Sequence, residues 1–287
     1  MMKIAVSGSS GFIGTHLNTF LAEKGITMIP LKRSYFNASD TLTLEEALKG
    51  CDAVINLAGA TINHRWTEAY KKEIMDSRIN TTRKLVDAIN RMEEKPSAFV
   101  SVSAVGIYPP DGVFTEKQED YDTGFLAEVC LNWENEAHRI SPDVRLIIPR
   151  FGVVLAKDGG ALPTMLLPFK FFAGGRIGTG KQGFSWIHIN DLLDALYFLL
   201  EHPRLSGVFN FTAPQVLTNA EFAEIAAEVL HRPDWIPVPS FVFEFLYGEG
   251  SSFVTGGQKA YPERLLRNGF RFKYGELHDA LRDILSD

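Results

Sequence analysis

The chain of 287 residues carries 29 Lys and Arg against 35 Asp and Glu, a formal charge of −6, with 45% hydrophobic and 22% charged residues. This is the make-up of a globular protein with room for a large core and about two domains, and the acidic balance excludes the broad basic face that nucleic-acid binding needs. The two cysteines, Cys51 and Cys130, form no disulfide framework, which fits a reducing, cytoplasmic setting. No run approaches the ~18 apolar residues of a membrane span. The chain starts straight into a strand, so no signal peptide is expected. There is no internal repeat, and no metal site is expected.

Lys3 to Ser7 is a short apolar run and reads as a buried strand. Gly8, Gly11 and Gly14 follow at once, and Phe12 to Gly25 reads as a helix. Strand, glycine turn and helix make the first half of a dinucleotide-binding unit. Gly8 permits the tight turn, Gly11 lets the backbone approach a pyrophosphate, and Gly14 seats the helix close on the sheet. The diphosphate would rest on free N–H groups at the helix start, around Ser10, Gly11, Phe12 and Ile13. The alternative is an ordinary strand-to-helix turn.

Ile26 to Leu31 is the second strand, ending at Lys32 and Arg33. An NAD-preferring site usually has Asp or Glu near here to hold the ribose 2′-OH. No acidic residue occurs from Ile26 to Ser39. Lys32 and Arg33 suit a 2′-phosphate instead, unless both are simply solvated loop charges. The stretch from Tyr35 to Gly50 has room only for a brief third strand or none, and Thr43 to Leu48 reads as a turn or two of helix. Ala53 to Leu57 is a strand buried on both faces, ending in the small residues Ala58 and Gly59.

Trp66 to Met92 reads as a long helix and Ala98 to Val102 as the next strand, with Ser101, Ser103 and Tyr108 near its carboxyl end. Ligands of open parallel sheets bind off such ends. Thr123 to Ile140 is a helix and Val144 to Pro149 a strand. The alternation predicts an α/β fold, a Rossmann-type doubly wound parallel sheet. Past Arg150, glycines and prolines punctuate a loop-rich half. It contains helices at Asp191 to His202 and Asn219 to Leu230 and a strand at Val208 to Thr212. Short helices follow at Phe241 to Tyr247, Pro262 to Asn268 and Tyr274 to Ile284. Residues 1–155 are expected to form the nucleotide-binding domain, with 186–212 packing back on it, and 156–287 a smaller α+β substrate or lid region.

These residues resemble the extended, nucleotide-sugar-epimerase-like branch of the short-chain dehydrogenase/reductases, and within it the atypical epimerase family proteins. The marks are Gly8-Ser9-Ser10-Gly11-Phe12-Ile13-Gly14, Asn56-Leu57-Ala58-Gly59, and Ser77-Arg78 to Thr82. Further on come Ser103 with Tyr108, Arg150 to Leu155, Trp186 to Asp191, and Gly256 to Phe270. The resemblance covers nearly the whole chain. It implies NADP(H), with Leu57, Ala58 and Gly59 lining the cofactor and Val154 near its nicotinamide half. It also implies Arg78 and Glu73 facing the cofactor from the long helix, Arg78 toward phosphate and Glu73 toward a ribose hydroxyl. Related extended enzymes pair through the helices represented by Trp66–Met92 and Thr123–Ile140, so a monomer or a homodimer is expected.

One departure bears on chemistry. The superfamily uses Tyr-x-x-x-Lys on the helix after the serine strand, the Tyr moving a proton and the Lys lowering its pKa. Aligned through Glu134, those positions fall on Leu126 and Cys130. Two readings follow. One is an oxidoreductase or epimerase acting on a carbonyl or hydroxyl group of a sugar nucleotide or other substrate, with Ser103 holding the reacting oxygen and Tyr108 as proton donor. The other is a catalytically silent NADP(H)-binding sensor or scaffold.

Overall fold

Alternate residues of the apolar runs serve opposite faces of one sheet, as the strand period requires. Ile4, Val6, Ile55 and Val100 enter one core, while Ala5, Val54 and Phe99 enter the other. These strands belong to a computed structural model that describes residues 2–37, 42–234 and 237–286.

The first half runs β1 (Lys3–Ser7), α1 (Phe12–Glu23), β2 (Thr27–Leu31), α2 (Arg33–Asn37), α3 (Leu42–Leu48), β3 (Ala53–Asn56) and α4 (Glu68–Arg91). Then come β4 (Ala98–Ser101), β5 (Ser103–Ala104), a 3₁₀ turn at Val105–Ile107, β6 (Val113–Phe114), α5 (Phe125–Ala137), β7 (Arg145–Phe151) and β8 (Val153–Leu155). The second half has α6 (Leu162–Lys170), β9 (Gly183–Phe184), β10 (Trp186–His188), α7 (Ile189–Glu201), β11 (Gly207–Phe211), β12 (Leu217–Thr218) and α8 (Asn219–Leu230). It closes with α9 (Ser240–Tyr247), α10 (Ser252–Thr255), β13 (Lys259–Ala260), α11 (Glu263–Arg267) and α12 (Leu277–Leu285).

The main sheet has seven strands in the order β11-β7-β4-β3-β1-β2, with β5 also on β7, and every pair is parallel. Strand order reverses at β1, so a crevice opens off the carboxyl ends of β1 and β3, where this class of sheet binds ligands. The described residues between β2 and β3 hold only the helices α2 and α3; residues 38–41 lie outside the description. The helices start where their caps dictate. Thr67 accepts from the Tyr70 N–H at 3.2 Å, and Thr218 forms a capping box with Glu221.

One face of the sheet is covered by α1 and α7, the other by α3, α4 and α5. A separate core joins α6, α8 and α12 around Trp186, Phe222 and Leu281. Polar contacts fasten this second region to the first. The Asp191 carboxylate on α7 accepts from the backbone N–H groups of Lys273 and Tyr274 at 2.8 and 2.9 Å. His188 caps α7 through Nδ1 and its ring packs at a tilt of 35° against Tyr274, with Asp283 of α12 3.4 Å from Nε2. Burial pushes His188 down to about 4, so it is neutral at ordinary pH.

Candidate functional site

At the head of α1, Gly8 takes φ +72°, the left-handed region that glycine reaches without strain. A Cβ there would lie 2.8 Å from the Leu57 carbonyl, and one on Gly14 would lie 2.4 Å from the Gly8 oxygen. The turn therefore presses its backbone onto β3 and onto the helix. Gly11 is the N-cap, no side chain caps α1, and no acidic residue stands in its first turn. The first N–H groups of the helix are thus left for an anion. Ser10 and Gly11 are exposed, Phe12 and Ile13 half-buried. Lys32 and Arg33 are exposed just past the end of β2, the strand beside β1.

The end of β3 is held from behind. Asn56 accepts from Ser7 Oγ at 2.5 Å and donates to Thr82 at 2.8 Å, and Trp133 Nε1 donates to the same Thr82 hydroxyl. This buried chain joins β1, β3, α4 and α5 and fixes where Leu57, Ala58 and Gly59 emerge. Arg78 on α4 reaches over that loop, donating to the carbonyls of Ala60 at 3.0 Å and Ile74 at 3.1 Å. A Cβ on Gly59 would lie 3.0 Å from its guanidinium carbon. Burial pushes the Arg78 pKa down, while Cys130 and Tyr70 hold it up. Glu73, five residues earlier and so about 140° around the helix, is exposed. The helix does not present it on the side where Arg78 meets the loop.

Ser101 and Ser103 are buried, and neither hydroxyl has a hydrogen-bond partner among the described residues. An unpaired buried hydroxyl is costly, and such groups await a ligand or water. Cys130 lies beside Ser103; burial pushes its thiol up to about 11, against the smaller opposing pull of Ser103, so it stays protonated. Leu126, one turn earlier, packs over Gly106.

Tyr108 is placed differently from what its spacing suggested. The 3₁₀ turn after β5 carries it inward, where it is fully buried against Phe114. Its hydroxyl donates to Asn210 and accepts from Arg150, both at 2.8 Å. Arg150 in turn forms a buried two-point pair with Glu134, at 2.8 and 2.7 Å. Burial also raises the Tyr108 pKa. A hydroxyl saturated inside the core does not suit a proton donor.

Val154 is half-buried on β8. Just beyond it lies a feature that sequence reasoning missed. The turn at Gly159 and Gly160 folds onto Phe12, so that a Cβ on Gly159 would meet its ring at 2.3 Å, and Asp158 lies 3.0 Å from His16 of α1. The glycine pair was its only signal, and it reads as mere punctuation in the sequence.

Comparison with known proteins fits this geometry. Residues 4–211 match the model of the NAD dependent epimerase/dehydratase family. The chain belongs to that family. Residues 238–284 match a domain of unknown function (DUF1731). The chain is 43% identical to the epimerase family protein SDR39U1 homolog, chloroplastic, of Arabidopsis thaliana, over 99% of this chain and 87% of that one. It is 39% identical to epimerase family protein YfhF of Bacillus subtilis, over 100% and 99%. The crystal structure of human epimerase family protein SDR39U1 (isoform 2) with NADPH superposes with a TM-score of 0.92 at 37% identity, covering 99% of both chains. The fold is that of the extended short-chain dehydrogenase/reductases. No described helix is long and apolar enough to cross a membrane.

Proposed function

We propose that this chain is an NADP(H)-dependent oxidoreductase or epimerase-like enzyme acting on a carbonyl or hydroxyl group of a sugar nucleotide or other small molecule. The observation that carries this reading is the glycine turn pressed against Leu57 at the sheet's switch point, in a chain 37% identical along its length to a protein solved with NADPH. NADP(H), when bound, would give or take the hydride. The rest falls to this chain's residues. The uncapped start of α1, from Ser10 to Gly14, holds the diphosphate, and Lys32 and Arg33 hold the 2′-phosphate. Leu57, Ala58 and Gly59 line the cofactor, Val154 bounds its nicotinamide half, and Arg78 meets it from α4. Glu73 reaches a ribose hydroxyl only if its side chain turns in from solvent. Ser103, with its free hydroxyl, holds the reacting oxygen. The proton comes from a group other than Tyr108.

Calorimetric titration with NADPH and NADH tests the cofactor. NADPH is expected to bind at least tenfold tighter; equal affinities overturn the NADP(H) choice, and no binding overturns the reading. The second reading, a silent NADP(H)-binding sensor, is favoured by Leu126 and Cys130 at the acid–base positions. Oxidation of NADPH on offering a carbonyl panel to the protein decides against it. For assembly the reading is a monomer or a homodimer; the half-exposed ion pairs Arg83–Glu136 at 2.6 Å and Arg139–Asp87 at 3.1 Å give the surface between α4 and the end of α5 a charged character, which favours the monomer over a large apolar seam.

A further inference from the structure

Arg78 has no carboxylate within ion-pair distance among the described residues. The other deeply set arginines are better served. Arg150 has Glu134, and Arg145 reaches the carbonyls of Leu199, Leu200, His202 and Leu205 around the end of α7. Arg78 spends hydrogen bonds on two carbonyls only. A guanidinium offers five N–H donors, so more than half of its capacity is unused. Arg78 is half-buried, and holding a cation partly out of water without a counter-charge costs free energy, yet the surroundings fix it in place. Its Cζ lies 5.3 Å from the Trp133 ring, which is itself tied to Thr82, and Gly59 leaves it room. Trp133 sits one turn beyond Cys130 on α5. Arg78 therefore faces the part of α5 that carries position 130, and the Cys130 thiol there lies within reach of both the Arg78 charge and the Ser103 hydroxyl.

We propose that Arg78 supplies from α4 the fixed positive charge that a lysine at position 130 would supply from α5, and that with Ser103 it binds the oxygen on which negative charge develops. The inference rests on the cofactor reading above. In the reducing direction a hydride adds to the carbonyl carbon, and the C=O π pair moves onto oxygen. Arg78 and the Ser103 O–H stabilise that oxygen, and water supplies the proton. A guanidinium does not titrate in the neutral range, so the charge is constant there. Electrostatic stabilisation of this kind needs no tyrosine.

The test is a cycle of Arg78→Gln, Cys130→Lys and the double variant, read by NADPH affinity and by melting without cofactor. Arg78→Gln should weaken NADPH binding at least tenfold while the Tm holds or rises, since an uncompensated cation has been removed. The double variant should recover at least a third of the lost affinity ratio on a logarithmic scale. Without cofactor, Cys130→Lys should lower the Tm more in the Arg78 protein than in the Arg78→Gln background, because there two cations meet. Unchanged affinity in Arg78→Gln with a lower Tm would mark a structural tether and overturn the proposal. So would a folded double variant that binds no better than Arg78→Gln. If the unsubstituted protein binds no NADPH, the cofactor reading fails on its own. The melting cycle still decides whether the two positions share one electrostatic place, and additive Tm changes refute it.

Discussion

The two sides of the cleft are built by different means. The side formed by β1, the glycine turn and α1 is shaped chiefly by residues a few positions apart, with longer-range contacts to Asn56, Leu57, Asp158 and Gly159 around it. The opposite side depends on bonds between residues far apart in the chain. Tyr108 meets Asn210 across 102 positions, Glu116 accepts from the Arg264 backbone across 148, and Asp191 accepts from Tyr274 across 83. The first side is kept chiefly by backbone shape, backed by the Ser7–Asn56 bond, and the second by buried polar partners. The first should therefore fail sharply on added volume, and the second gradually on lost charge or hydroxyl groups.

Gly14→Val should give the largest effect. Its Cβ would stand 2.4 Å from the Gly8 oxygen and 2.6 Å from the Ser9 oxygen, both backbone atoms that cannot swing aside. Overpacking of this kind costs about 3 kcal/mol of stability, and the N–H groups of the turn would lose their aim. Calorimetry should show NADPH affinity reduced at least a hundredfold. A variant that binds NADPH normally would mean that the turn tolerates movement and that the contrast between the two sides is wrong.

That side was legible because its causes are local. An apolar run, three glycines and a capless helix start announce themselves in a dozen residues, and the brevity of the Tyr35 to Gly50 stretch agrees with the described residues there, which hold helices and no strand. The serine strand was legible for the same reason, down to Ser103. Tyr108 was not, because a three-residue 3₁₀ turn decides whether the chain runs along the cleft or into the core. What draws it inward is Arg150 and Asn210, on strands β7 and β11. The same holds for Arg150 with Glu134, for His188 with Asp283, and for the Gly159 turn on Phe12. Each partner is an ordinary residue alone, and only the fold brings the two together.

The pH dependence of stability probes the second side. His188 falls to about 4 in the folded chain, against an ordinary 6.5, chiefly through burial; Lys273 adds to this while Asp283 opposes it. Below pH 6.5 the unfolded chain takes up the proton first. The stability His188 contributes is therefore full above pH 6.5 and is lost as pH falls toward 4, by about 3 kcal/mol in all. Urea unfolding at pH 7, 5.5 and 4.5 should show this slope, and His188→Asn, which keeps an acceptor for the Asn190 N–H, should flatten it. Parallel slopes in the two proteins would remove His188 from the fastening of α12.

A smaller effect is expected from Tyr108→Phe. The change leaves Asn210 Oδ1 and one Arg150 N–H short of a partner in a buried place, at a cost of about 2 kcal/mol. Urea midpoints should fall while NADPH affinity and any measurable kcat stay unchanged. A lower kcat with unchanged stability would return Tyr108 to the proton-transfer step and place it on the cleft after all.

Arg33→Ala sharpens the comparison from the first side. Arg33 is exposed and its side chain makes no hydrogen bond or ion pair with another described residue, so truncating it disturbs no internal side-chain contact and stability should hold. It stands at the end of the strand next to the glycine turn, with Lys32 beside it and no acidic side chain in the described stretch up to Phe36. A guanidinium–phosphate contact is charge-assisted and often two-pointed. Solvent screens it at this exposed position and Lys32 shares the load, which brings the loss on removing Arg33 to about 1.4 kcal/mol, or tenfold in Kd. The loss should appear for NADPH and not for NADH, and should shrink as salt is added. An equal loss for both cofactors would mean that Arg33 touches the diphosphate or the adenine rather than the 2′-phosphate. No loss for either would leave Lys32 and Arg33 as solvated charges, with the choice between NADP(H) and NAD(H) made elsewhere in the cleft.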